Sequence, residues 1–217
     1  MRKVLIATLG FEERFCYRAI LRHGMREGDK IILLTGDLTD KVERAYEWVD
    51  KFIKSSYGDS VEVRLIKLNL NEVLESVKRI SELLDSFEGS DVIVNLSGGM
   101  RVLVAYTLLA CLMRVRRNLV VEIEREDLSG VVSLDHRLLK LVKEGVKEEH
   151  LSLLELVRRG LGDVRSLARE LGKDESTVRR YVSDLEELGL IRVKRRKPLA
   201  FEPSELSDLF STSEGLT

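Results

Sequence analysis

DVIVNLSGGMR, residues 91–101, joins a short β-branched run to a serine, two glycines and the start of a helical pattern. The apolar run predicts a buried strand from Asp91 to Leu96, and the apolar spacing from Arg101 to Arg116 predicts a helix. Strand, glycine turn and helix in this order form a βα unit, which favours a parallel sheet. The same alternation recurs over the first 135 residues.

The segments on either side extend this pattern. Strands are expected at Lys3 to Leu9, Lys30 to Leu34, Val61 to Leu68 and Asn118 to Ile123, and helices at Glu12 to His23, Asp40 to Ser55 and Asn71 to Ser86. A last strand, Gly130 to Leu134, is predicted to pair antiparallel at the sheet edge. The expected fold class is α/β, a doubly wound Rossmann-like parallel sheet in which the first and fourth strands are central neighbours.

After residue 135 the helical patterns follow one another without alternating strands. We expect a boundary near Gly145, with a ligand-sensing domain at 1–145 and a smaller domain at 146–217. In the second domain a short helix ends at Gly172, and Asp174 can cap the next helix. A short helix, a tight turn and a polar-faced helix predict a helix-turn-helix, whose second helix enters the major groove of DNA.

Two sets of side chains in this domain are candidate DNA-binding residues. On the outer face of the second helix they are Ser176, Thr177, Arg179, Arg180 and Ser183. A basic segment after Gly189 is interpreted as a β-wing, and its candidates are Arg192, Lys194, Arg195, Arg196 and Lys197. The alternative, a solvated charge run on a module that packs against protein partners, stays open.

Composition limits the chemistry and the partners. The 217 residues carry 36 basic and 37 acidic side chains, a net charge of −1, so any DNA contact must be local. Cys16 and Cys111 are isolated and expected to be buried thiols, and the three histidines are scattered, so no metal site is predicted. No segment is apolar for long enough to span a membrane, and a signal peptide is not recognised, so we expect a cytoplasmic protein without a membrane anchor.

Two loops are expected to meet where the central strands end, which is where open α/β sheets bind ligands. The candidate ligand-binding residues are Thr8, Leu9, Gly10 and Phe11 in the first loop and Asn95, Ser97, Gly98, Gly99, Met100 and Arg101 in the second. Glycines let backbone N–H groups approach an anion, and a cation in a first helical turn is better explained by an anion held in front of it. A tight turn and a solvent-facing arginine are the alternatives. Residues 36–39 are expected at the rim.

A dinucleotide cofactor is not expected, and no other cofactor is predicted. The first turn has the single glycine Gly10, followed by Phe11, so the GxGxxG pattern is absent. A phenylalanine at this position would obstruct the close approach of a pyrophosphate.

The Thr-x-Gly-Phe turn of residues 8–11, the Ser-Gly-Gly-Met-Arg turn of residues 97–101 and the winged helix together resemble the CRISPR-associated Rossmann-fold (CARF) transcriptional regulators of archaea, of the Csa type. The resemblance implies a homodimer that binds a cyclic oligoadenylate as effector, cyclic tetra-adenylate above all. It also implies that the winged helices bind the double-stranded promoter DNA of CRISPR loci. Thr8, Gly10 and Phe11 match the first ligand loop of the family, and residues 97–101 match the second.

Two other functions stay open, although no catalytic residue is predicted. In a metal-independent ring nuclease, Ser97 and Arg101 would position a phosphate of the ring while its own 2′-hydroxyl attacks. Neither loop contains a histidine or another obvious base. A third possibility is an adaptor that uses the winged helix for protein contacts.

Overall fold

A computed structural model describes residues 1–196 and 199–210 of the chain. The chain forms two compact units, Met1–Leu139 and the part that begins at Lys140. The boundary that the sequence places at residue 145 stays a prediction. Lys197, one of the candidate wing residues, lies outside the described residues, as does the turn expected at Pro198.

Six strands form the sheet of the first unit in the order β3-β2-β1-β4-β5-β6. They are β1 Lys3–Thr8, β2 Lys30–Thr35, β3 Glu62–Lys67, β4 Asp91–Asn95, β5 Leu119–Glu124 and β6 Val131–Leu134. The β5–β6 pair is antiparallel, and the other neighbouring pairs are parallel. The chain order reverses between β1 and β4. The predicted α/β fold class, its central strand pair and its antiparallel edge strand are confirmed.

Helices cover both faces of this sheet. α1 Arg14–His23 and α2 Asp40–Tyr57 lie on one face, and α3 Val73–Asp85 and α4 Arg101–Met113 lie on the other. Alternate strand residues point to the two faces: Leu5, Ile31 and Ile93 pack toward α1 and α2, and Val4, Ile32 and Val94 pack toward α3 and α4. Strands that are buried on both sides are continuous apolar runs, which is why they stand out in the sequence.

The second unit is a helix-turn-helix with a two-stranded wing. Its elements are α6 Glu148–Arg158, α7 Val164–Leu171, α8 Glu175–Glu187, β7 Ile191–Arg196 and β8 Leu199–Pro203, and α5 His136–Glu144 precedes them. Gly172 ends α7 in the left-handed conformation, with φ of 61°. Leu153, Leu167 and Val178, one from each helix of the motif, share one core. The predicted winged helix-turn-helix is confirmed. Among the described residues, no helix is long and apolar enough to cross a membrane.

Candidate functional site

A cavity of about 670 Å³ opens where β1 and β4 end. Ala7 pairs with Asn95 across the two strands, so the loops that follow leave the sheet side by side. Most of the predicted ligand residues line this cavity, namely Leu9, Gly10, Phe11, Ser97, Gly98, Gly99, Met100 and Arg101. The cavity therefore lies at the switch point of the sheet, where ligands of open α/β folds bind.

All ten predicted ligand residues belong to the described part of the chain, but Thr8 and Asn95 are buried behind the cavity wall rather than on it. The Thr8 hydroxyl donates a hydrogen bond to the carbonyl oxygen of Gly98, at 2.6 Å. The Asn95 side-chain oxygen accepts one from the backbone N–H of Ser97, at 3.2 Å. In this geometry the two side chains hold the second ligand loop in place.

Gly10 and Gly98 lie where the two loops touch. A Cβ on Gly98 would lie 2.8 Å from the carbonyl oxygen of Thr8, and a Cβ on Gly10 would lie 2.9 Å from the nitrogen of Gly99. Both distances are well inside van der Waals contact. The sequence suggested ligand access as the reason for the glycines, and the structure adds a packing reason, because any side chain here would push the loops apart.

Arg101 is the first residue of α4, and its side chain is exposed. Among the described residues it has no ion-pair or hydrogen-bond partner. The helix begins without a side-chain cap and without an acidic residue in its first turn, so its partial positive charge is also uncompensated. Nearby, the Ser97 oxygen accepts the backbone N–H of Glu124 at 2.8 Å, and its own hydrogen can still be donated. This end of the cavity suits an anion.

The rim of the cavity is apolar and aromatic. Phe11 is 62% exposed and Met100 is 49% exposed. The Lys41 ammonium lies 5.4 Å from the centre of the Phe11 ring. An exposed aromatic ring beside an anion site can stack a nucleobase while its neighbours hold the phosphate.

Part of the cavity wall was missed by sequence reasoning. It consists of Arg14, Phe15, Thr35, Val42 and Glu126, whereas Asp37 and Thr39 line the cavity as the expected rim. Glu12 also lies on the wall, and its carboxylate pairs with Arg14 at 2.6 Å. Arg14 and Phe15 begin α1 directly after the first ligand loop, and this closeness in sequence was a signal that could have found two of these residues. Glu126 lies in the β5–β6 turn, and no signal in the sequence connects it to the cavity.

A buried charged network lies behind the cavity, between α1 and β5. Glu124 is 2% exposed and pairs with Arg18. Glu122 binds the Arg22 guanidinium at 3.1 Å and the His23 ring nitrogen Nε2 at 2.9 Å. Burial raises the pKa of Glu122, but hydrogen bonding and charge from His23 and Arg22 outweigh it, so the net pKa lies below its usual value. Two acidic residues within an apolar strand were the sequence signal for this network.

Among the described residues, neither a reactive thiol nor a group of side chains that could bind a metal ion adds to this site. Cys16 and Cys111 are both buried free thiols, as predicted, and burial raises the pKa of each to about 12. Such thiols stay protonated and are poor nucleophiles. Within residues 1–196 and 199–210, no group of three or more His, Cys, Asp or Glu side chains could hold a metal ion.

In the second unit, α8 begins at a strong cap. The Asp174 carboxylate accepts hydrogen bonds from the hydroxyls of Ser176 and Thr177 and from the backbone N–H of Thr177. These hydrogen bonds hold the pKa of the Asp174 carboxyl below its ordinary range, and the bond from the Ser176 hydroxyl contributes most. The hydroxyls of Ser176 and Thr177, two predicted DNA-binding residues, are therefore engaged within the protein.

The other predicted DNA-binding residues of the described chain are exposed: Arg179, Arg180 and Ser183 on α8, and Arg192, Lys194, Arg195 and Arg196 on β7. Glu175 lies 3.4 Å from Arg179, and the Arg180 guanidinium lies 5.7 Å from the Tyr181 ring centre. Lys194 pairs with Glu202 across the wing. The structure thus brings cations together on the second helix and on the wing of one small unit.

Residues 3–135 match the Csa3 CRISPR-associated Rossmann-like domain, and residues 150–195 match the IclR helix-turn-helix domain. Fold and matches together define a CRISPR-associated regulator that joins a CARF domain to a helix-turn-helix DNA-binding domain. The chain belongs to the Csa3 family, and its resemblance to the CARF regulators is confirmed.

The chain is similar to one named protein and to two solved structures. The CRISPR locus-related protein Csa3 of Thermoproteus tenax, named for DNA binding, is 30% identical over 189 residues, which cover 85% of this chain and 83% of that protein. Csm6 of Enterococcus italicus, bound to cyclic hexa-2′-fluoro-hexa-dAMP, has a TM-score of 0.50 at 11% identity, and the match covers 86% of this chain and 54% of that one. Can2 of Sulfobacillus thermosulfidooxidans, in complex with cyclic tetra-adenylate, has a TM-score of 0.45 at 14% identity, and the match covers 70% and 45%. The chain spans about half the length of these two solved structures, and the Csm6 likeness shows the fold alone.

Proposed function

We propose that this protein is a homodimeric transcriptional regulator that binds cyclic tetra-adenylate in the cavity of its first unit and CRISPR promoter DNA through its second unit. It acts in the cytoplasm and catalyses no reaction. The observation that carries the proposal is the cavity at the switch point, in which the uncompensated Arg101 and helix start lie beside the exposed ring of Phe11.

The chemistry of the cavity supports a nucleotide ligand of this kind. Arg101 and the free N–H groups at the start of α4 suit a phosphate, and Phe11 suits an adenine base. A ring with several phosphates and twofold symmetry suits two copies of one anion site. Membership of the Csa3 family and the cyclic ligand of the Csm6 structure support the same ligand class.

The surface of α4 supports dimerisation. Leu103 and Ala110 are fully buried in the core of the first unit, yet Ala105 is exposed and Leu109 is 47% exposed. A helix that is apolar on both sides needs a second surface to cover it. A second copy of the chain would supply that surface and would bring two cavities toward one ring.

The regulatory step requires that the ligand bind one arrangement of the dimer better than another. Two recognition helices must lie about 34 to 36 Å apart to enter successive major grooves of DNA. A change in the pairing of the two copies would therefore raise or lower DNA affinity.

Ligand binding is tested by calorimetric titration of cyclic tetra-adenylate into the intact protein. We expect one ring per two chains. Arg101→Ala should weaken binding about ten- to a hundredfold, the value of a lost hydrogen bond to a charged group. Arg117→Ala, which removes an exposed cation beyond the other end of α4, is the matched control and should change affinity less than about twofold. Undetectable binding to the wild-type chain would refute the ligand assignment, and cleavage of the ring would favour a ring nuclease.

DNA binding is tested by mobility shift on the promoter of the chain's own CRISPR locus and on scrambled DNA of equal length. Arg179→Ala should cost about 1 to 3 kcal/mol on the promoter alone if Arg179 contacts a base. Substitutions of wing cations should mainly reduce the salt dependence of binding. Promoter affinity that stays constant across a cyclic tetra-adenylate titration would refute the coupling. Normal binding by both kinds of variant would favour the adaptor.

A further inference from the structure

A second cavity, of about 890 Å³, adjoins the first one near the ends of β2 and β3. Asp37 and Met100 line both cavities. Gly36 directly precedes Asp37, and a Cβ at Gly36 would collide with Leu70 and would lie 3.4 Å from the Met100 sulfur. Leu70 and Met100 therefore pack directly on the backbone, and the two cavities follow one edge of the sheet with the flexible Met100 side chain between them.

The second cavity has a different chemistry from the first. Its charges balance, because Lys67 and Arg79 are opposed by Glu75 and Asp37. The amide of Asn71 and several apolar side chains complete its wall. The wall is mostly polar, so it offers hydrogen-bond donors and acceptors to the edge of a base and to a sugar hydroxyl.

Two hydrogen bonds fix the wall of this cavity. Arg79 donates from Nη1 to the carbonyl oxygen of Lys67 at 3.0 Å. The backbone N–H of Asn71 donates to the side-chain oxygen of Asn69 at 3.2 Å. The backbone of this loop is thus held in place, and Asn71 is an exposed residue of the cavity wall whose amide is able to form hydrogen bonds with a ligand.

Asp37 occupies the point where the two cavities meet. It follows β2 by two residues, its side chain is exposed, and it has no ion-pair partner in the described part of the chain. An acidic side chain performs one recurring task in dinucleotide-binding sheets, which is to accept the hydrogen bond of a ribose 2′-hydroxyl.

From these observations we infer that the second cavity is an adenosine subsite of the same ligand. Asp37 accepts the ribose 2′-hydroxyl, and the adenine passes Met100 and is read by Asn71, whose amide can pair with the N6 and N7 edge of adenine. The inference rests on the proposed function, because the phosphate of the same nucleotide occupies the first cavity. It adds that this chain selects a ribose ring and an adenine base.

The ribose contact is tested by titrating the intact protein with cyclic tetra-adenylate and with its fully 2′-deoxy counterpart. The wild-type chain should prefer the ribose ring by about tenfold, the value of one hydrogen bond of 1.4 kcal/mol. Asp37→Ala should reduce this preference to less than about twofold. Asp40→Ala removes the same charge from the first turn of α2, outside both cavity walls, and should keep the full preference.

The base contact is tested with the cyclic inosinate ring, which lacks the exocyclic amine of adenine. Asn71→Ala should weaken binding of the adenylate ring about tenfold and binding of the inosinate ring by less, because inosine keeps N7 but lacks the N6 amine; this difference is the signature of a direct pair. Lys78→Ala, an exposed change on α3 outside the cavity, should affect neither ring.

The outcomes separate the two proposals. If the wild-type chain binds the adenylate ring but Asp37→Ala keeps the ribose preference, or Asn71→Ala binds adenylate normally, the subsite is wrong and the proposed function stands. Equal affinity of the wild-type chain for ribose and deoxyribose rings also overturns the subsite. If the wild-type chain binds none of the rings, both proposals fail.

Discussion

Replacing Thr8 by valine should loosen the ligand loop, because the Thr8 hydroxyl is the donor that holds the Gly98 carbonyl at 2.6 Å. Thr8 is 1% exposed, so water cannot readily take the place of this donor. Valine keeps the size of the side chain and leaves the carbonyl without that partner, at a cost of about 1 to 3 kcal/mol. For a chain of this size the melting temperature should fall by about 2 to 10 °C.

The measurement should report on the first unit. Trp48 lies in α2 but is 59% exposed, so urea unfolding is followed by circular dichroism and by hydrogen exchange of the first unit's strands in place of fluorescence alone. Thr8→Ser is the matched variant, since it keeps the hydroxyl and loses a buried methyl group, which by itself costs about 1 kcal/mol. Affinity for cyclic tetra-adenylate therefore separates the two: Thr8→Val should weaken it and Thr8→Ser should leave it nearly unchanged. Wild-type stability and affinity in Thr8→Val would refute the role of this hydrogen bond.

Three further results are expected. Arg18→Met should lower the unfolding free energy of the first unit by about 1 to 3 kcal/mol, because buried Glu124 loses its main partner; this range is discounted for the 44% exposure of the Arg18 side chain. In urea unfolding, the double variant with Glu124→Gln should recover part of the lost stability. An unchanged unfolding free energy in Arg18→Met would contradict this role of the ion pair. Asp163→Ala should destabilise the second unit by about 1 kcal/mol, since its carboxylate caps the start of α7, and thermal unfolding followed by circular dichroism would show no change if the cap were unimportant. The pKa of Glu122 is lowered in the folded state, so the contribution of its carboxylate to the unfolding free energy is complete above the unfolded pKa and is lost as pH falls through the folded value. Glu122→Gln should therefore flatten the acid limb of the plot of unfolding free energy against pH. An unchanged slope would contradict this role of Glu122.

Most of the fold was predictable because strands covered on both faces leave continuous apolar runs in the sequence. Helix ends were less predictable. Periodicity extended α4 to Arg116, but the helix ends at Met113, after which Arg114 binds Asp85 and Arg116 binds the Leu84 carbonyl. Contacts with the end of α3 thus replace helical hydrogen bonds that local periodicity alone would have continued.

The site was predictable in outline, because loops after neighbouring parallel strands must meet. The positions of the individual site residues depend on how the loops pack. Thr8 and Asn95 have side chains typical of ligand residues, yet strand geometry turns them inward, and a single sequence does not show which polar side chains a loop will bury. Glu126 reaches the cavity from a distant part of the chain, so its position follows only from tertiary structure.

The glycine-to-glycine contact between the two ligand loops has a kinetic consequence. Since the two ligand loops are already in contact in the absence of ligand, they lose little conformational entropy when the ligand binds. Encounter rates should then be alike for related rings, and differences in affinity should appear as differences in residence time. Because the two ligand loops are rigid, discrimination between related ligands depends on the few side chains at the rim of the cavity. These side chains can be substituted without disturbing the sheet.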